Sequence, residues 1–201
     1  MKKRPRIVDW LLDFVNRLLP VVTGIAITFT VQGMVNRAHT RRDVRSALQL
    51  VRTELVSNRQ DVAELHDILD QVQQSARYLN DHPELLKNVH SLDSATLDTV
   101  TYHQGMIYAE VSLNLPHDAL ELLKTSSIFQ KIGDNALSMK IIRAYDCCQV
   151  IVESIDRHFI AKTSQADEDL PKWLLAHNPL PYTDPADIDK AVTAINVFLR
   201  K

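Results

Sequence analysis

The stretch "VRSALQLVRTELVSNRQDVAELHDILDQVQQSARYL" (44–79) decides how this chain folds. Positions 44, 48, 51, 55, 58, 62, 65, 69, 72, 76 and 79 alternate in steps of four and three. They hold Val, Leu, Val, Leu, Asn, Val, Leu, Leu, Val, Ala and Leu. One side of a helix therefore carries an oily seam, broken once, over about five heptads. No Pro or Gly occurs between Gly33 and Pro83. "NDHP" (80–83) is the stop, because Pro83 disfavours helical geometry at the residue before it. From Arg37 to Asn80 such a helix is about 66 Å long.

Two structures use a seam of this kind. In a parallel dimer, Glu54 of one chain faces Arg59 of the other, and Asp61 faces His66. In a folded-back bundle, the chain's own later helices cover the seam. Leu50, Val56 and Ile68 lie off it and widen the apolar stripe, which suits the bundle. Asn58 is the polar seam residue. Either it fixes register through a buried hydrogen bond, or it sits where the bundle opens to water.

Partner helices follow downstream. Asp134 is a good N-cap for a helix whose stripe reads Leu137, Ile141, Tyr145, Cys148, Val152, Ile155 and Phe159. "NLPHDALELLKTSSIFQKI" (114–132) reads as a shorter helix entered through Pro116. The last helix is capped by Thr183 or Asp184, has Pro185 in its first turn, and turns Ile188, Val192, Ile195 and Leu199 inward. "MIYAEVSL" (106–113) has strand character but no second strand to pair with, so it is assigned to helix. "LPKWLLAHNPLPYTDP" (170–185) reads as an irregular connector. The expected class is all-α, an antiparallel helical bundle. Four glycines in 201 residues agree with helices.

The N-terminal region adds a membrane element. From Leu18 to Asn36 no position holds Asp, Glu, Lys, Arg or His, which as a helix is about 28 Å, close to the hydrocarbon thickness of a bilayer. The Leu, Ile, Phe and Val residues there contribute roughly −3 to −5 kcal/mol towards insertion, offset partly by Gln32 and the threonines. A cleaved signal fits less well, because Asp9 and Asp13 break the early apolar run; a buried soluble helix would show a more polar face. The expected division is an interfacial helix and anchor (1–36, span about 18–36), a long heptad helix (37–80), and the remaining bundle helices (81–201).

In "IVDWLLDFVNRLL" (7–19) the polar residues fall on one helical face and Trp10 falls on the apolar one, as in an interfacial helix. Lys2, Lys3, Arg4, Arg6, Arg37, Arg41 and Arg42 flank the span and are expected to bind lipid headgroups. Basic residues are nearly balanced across it, with a lean towards a cytoplasmic N-terminus. Gly24, Thr28 and Gly33 let two spans approach closely, giving a face for a second copy or a membrane-protein partner.

"GIAITFTVQ…RRDVRSALQLVRTELVSNRQDV" and "LLKTSSIFQKIGDNALSMKIIRAYD" (122–146) carry a resemblance. They look like a bacterial family of short, uncharacterised single-pass membrane proteins with an N-terminal span and a helical domain. The family usually ends its span with a Trp and an acidic residue, where this chain has "QGMVNR". The resemblance implies an inner-membrane helical protein with no assigned activity, and it transfers no catalytic residue.

Chemistry is sparse. The eight histidines never pair at i,i+4 beside a third ligand and read as scattered surface residues; no metal site or cofactor is expected. Asp67 with Asp70, and the acidic run 167–169, read as solvated faces. Adjacent Cys147 and Cys148 give no ordinary disulfide framework; Cys148 falls on the core side and Cys147 flanks it. A net charge of −2, and a basic collar without interleaved aromatics, argue against nucleic acid. The expectation is a non-enzymatic membrane-anchored scaffold, tether or accessory protein. A sensor-like, ligand- or partner-binding bundle is the alternative.

Overall fold

The computed structural model describes the backbone of residues 7–87, 89–167, 169–180 and 183–200. Side chains are described at Gln32 and from 38 onward within those ranges, Val89 excepted. Every regular element among the described residues is helical. In chain order these are α1 (Ile7–Asp81), α2 (Pro83–Lys87), α3 (Ser94–Tyr108), α4 (Asp118–Thr125), α5 (Ile128–Lys131), α6 (Asn135–Lys162), α7 (Leu170–Ala176) and α8 (Ala186–Arg200). A 3-10 turn, Val89–Ser91, lies between α2 and α3.

The chain divides into two compact units, Met1–Ser46 and Ala47–Lys201. The first unit holds the early part of α1, with Arg41 and Arg42 exposed. The span expected at 18–36, its packing residues Gly24, Thr28 and Gly33, and the headgroup residues Lys2, Lys3, Arg4, Arg6 and Arg37 fall outside the residues whose side chains are described. Among the described residues, no helix is long and apolar enough to cross a membrane.

The second unit is built around the seam. The ten seam positions of this unit, Leu48 to Leu79, are buried, as is Val44 in the first unit, and Leu48, Val51, Leu55, Asn58, Val62 and Ala76 are wholly inaccessible. The widening of the stripe differs from expectation: Leu50 and Val56 are exposed, and Ile68 is only partly covered. Off the seam, Ala47, Gln73 and Ser75 are the further buried positions of the described part of α1.

Side-chain bonds give the directions of those helices. Arg52 Nε donates to Asn196 Oδ1 (2.5 Å), Arg59 Nε to Asp189 Oδ1 (3.2 Å), and His66 Nε2 to Thr183 Oγ1 (2.7 Å). Rising positions on α1 meet falling positions on α8, so the two run antiparallel. Glu54 meets Tyr145 and Asn58 meets Cys148, so α6 runs parallel to α1. Between them the chain must return from the level of Ser75, which meets His103, to the level of Glu54, which meets Ala119. The result is an up–down–up–down bundle.

The returning leg is a helix for only half its length. α3 ends at Tyr108, and residues 109–117 belong to no helix or strand, against the helical assignment of "MIYAEVSL" beyond its first three residues. Side chains at 109, 111, 113 and 115 are at least partly covered while 110, 112 and 114 are exposed, the period of two that an extended chain imposes. No second strand is needed, because side chains meet some of its backbone carbonyls. Asn58 Nδ2 donates to Pro116 O (2.9 Å) and Lys162 Nζ to Ala109 O (2.9 Å).

Two further expectations change. The helix placed at 114–132 is split into α4 and α5. Thr125 and Ser126 hydroxyls bond back to Glu121 O and Leu122 O (2.8 and 2.6 Å), and Ser127 then takes a left-handed φ of 55°. The 170–185 connector contains α7, whose Leu170 and Leu174 join Val72, Ala76, Leu79, Val100 and Ile107 in a cluster at the end of α1. On α6 the inward row passes through Ile151, His158 and Lys162 in place of Val152 and Phe159. On α8, Ala191 replaces Val192. Asp134 caps α6 as expected, accepting from Leu137 N (2.9 Å).

Leu55→Ala is expected to cost about 2–5 kcal/mol in chemical denaturation, because it empties a fully buried position. Leu50→Ala, at an exposed position, stays within about 0.5 kcal/mol. Equal effects would contradict the seam assignment.

Candidate functional site

Two polar clusters occupy the interior of the second unit. The first joins α1, α4 and α6. Glu54 accepts Tyr145 Oη–H at 2.5 Å and the Ala119 N–H at 3.1 and 3.2 Å. Ala119 is the second residue of α4, and His117 at the N-cap makes no side-chain capping bond. A carboxylate from another helix thus satisfies an N–H that α4 leaves free and meets the positive end of its dipole. Burial, then the bond to Glu54, drives the Tyr145 phenol far above its ordinary range. It acts as a neutral donor.

Asn58 sits four residues along α1. Its Nδ2 donates to Pro116 O and approaches Cys148 Sγ at 3.7 Å, while Oδ1 is buried without a partner. This seam residue is fully buried and bonded within its own chain. Neither an opening to water nor a bond across a dimer describes it. It pins the extended leg to α1 at the cost of one unmet acceptor, about 1–3 kcal/mol. Cys148 is buried and its thiol is pushed up to about 11, chiefly by burial, so it rests as an unreactive thiol. Beside it lies a cavity of about 380 Å³, bordered by His117, Glu121, Tyr145, Cys148 and Gln149.

The second cluster joins α6 and α7. His158 and Lys162 occupy heptad positions of α6 that the sequence reading gave to solvent and to Phe159, and both are buried. The apolar pattern concealed them; the spacing from Cys148 through Ile151 and Ile155 to 158 and 162 was the available signal. His158 lies 5.1 Å from Trp173, whose other neighbour His177 stacks at 4.7 Å and 15°. Lys162 Nζ lies 4.9 Å from the centre of the Phe159 ring while donating to Ala109 O. Burial, then Lys162 and His177, hold His158 below its ordinary value. Burial and the acidic side chain of Asp167 push Tyr108 up to about 12.

Histidines expected at the surface are therefore more involved. His66 bonds Thr183, and His103 bonds Ser75 Oγ (3.0 Å) and stacks on Tyr78 at 4.2 Å. Asp67, Asp70, Asp167 and Asp169 are exposed. Among the described residues, no group of three or more His, Cys, Asp or Glu is placed to hold a metal ion.

Tyr145→Phe is expected to cost about 1–3 kcal/mol in denaturant titration, since it removes a buried bond to a carboxylate. The native chain resists protonating His158, and His103 for the same reason of burial, so below about pH 6.5 the unfolded chain binds more protons. Stability is full above that pH and declines as it falls, until the native rings titrate. Melting temperature should drop between pH 7 and pH 5, and His158→Gln should flatten the drop. An unchanged slope would remove His158 as its source.

In comparisons with known proteins, no family model matches the chain, and neither does any curated protein or solved structure.

Proposed function

We propose that the protein is a non-enzymatic, membrane-tethered helical module, a scaffold or accessory subunit, as its resemblance to short single-pass bacterial membrane proteins implies. The observation that carries this reading is the fate of the α1 seam: all eleven positions are covered by the same chain. The described part of the long helix is thus the central pillar of its own bundle, and its heptad seam is not left open for a coiled-coil partner. Association with a second copy or another membrane protein then falls to the Gly24, Thr28 and Gly33 face of the span.

The uncharged run 18–36 supports the tether, with Arg41 and Arg42 exposed just beyond it for anionic headgroups. The inner membrane, with a cytoplasmic N-terminus, is the proposed location. A second reading, a ligand-binding domain, is favoured by the cavity beside His158 and Trp173.

Washing isolated membranes with alkaline carbonate tests the tether. The chain is expected to stay in the pellet; release of intact protein into the supernatant would overturn the membrane reading.

A further inference from the structure

We propose that the cavity between α6 and the C-terminal end of α7 is a binding site for a small organic carboxylate. This deepens the ligand-binding reading and is independent of the membrane tether.

The cavity measures about 370 Å³, at the small end of pockets that take organic ligands and too large for a lone inorganic ion to fill. Its border is chemically one-sided. Arg157, His158 and His177 line it, Ser154 and Asn178 add neutral polar groups, and among the described residues no carboxylate borders it. Trp173 and small apolar side chains form the rest of the wall.

Each of these basic side chains is positioned by a specific contact. Arg157 Nε donates to Glu153 O (3.2 Å), which orients a fork whose geometry matches a carboxylate. His177 Nδ1 lies 2.9 Å from Trp173 O, an atom that only accepts, so Nδ1 donates to it and the ring is held in place. His158 is fixed by burial on α6 and by Trp173.

The charged groups around His158 are Arg157 and Lys162 on α6 and His177 after α7; Glu110 on the extended leg acts on Lys162. Lys162 is engaged with Ala109 O and the Phe159 ring. Empty, the cavity disfavours the charged form of His158, chiefly through burial. An anion inside it compensates the charge that burial penalises, so binding takes up a proton and strengthens as pH falls.

The test uses the purified full-length chain with Trp10→Phe, which leaves Trp173 as the one tryptophan of two. Benzoate and phenylacetate are titrated at about pH 6 and about pH 8 while Trp173 emission is followed, with benzamide as the neutral control. The expected result is a saturable change with the carboxylates and none with benzamide. Affinity should weaken several-fold at the higher pH, and Arg157→Gln should weaken it about tenfold with an unchanged melting temperature. His158→Gln should remove most of the pH dependence, since His158 is the ring whose charge burial disfavours. No saturable response to either carboxylate, an equal response to benzamide, or full affinity in Arg157→Gln would overturn the proposal. The carbonate wash does not bear on this result, so the two proposals fail separately.

Discussion

An apolar stripe that continues for the length of 44–79 must be covered along its whole run, and that requirement shapes the second unit. α8 covers one flank antiparallel, α6 covers another parallel, and the leg 103–119 crosses back between their levels. A parallel neighbour demands a full-length return. The chain supplies it with α3 and nine extended residues, 109–117, because an extended chain covers more distance per residue than a helix.

The bundle was legible because its signal is periodic and strong. The seam of α1 is recoverable from spacing alone, as are Asp134 at the α6 cap and Ile188 and Ile195 inside α8. Periodicity failed where a polar residue occupies a core position. His158 and Lys162 look like surface residues until Trp173, Phe159 and Ala109 O are brought to them, and those partners come from packing, not from local sequence. The extended leg was hidden for a related reason. Its alternation was visible, but its backbone is met by Asn58 and Lys162, each more than fifty residues away. The direction of α6 relative to α1 likewise has no local signal, being set by the length of the returning chain.

The polar interior does more than tolerate its cost. Glu54 joins three elements through Tyr145 and Ala119, and Asn58 fixes the extended leg four residues further on. Apolar contacts alone would allow the leg to slide along α1, whereas directional bonds select one register. The second cluster gathers basic side chains and aromatic rings with, among the described residues, no carboxylate at the cavity wall, an arrangement the hydrophobic pattern does not require.

The pairing of α1 with α8 also sets a schedule. Arg52 and Asn196 are 144 residues apart, so the pillar leaves the ribosome long before its last cover exists. At ordinary synthesis rates that interval is roughly 7–30 seconds. Throughout it, part of the stripe faces water and any passing oily surface. The interval before the final helix arrives is therefore when this fold is most open to misassociation.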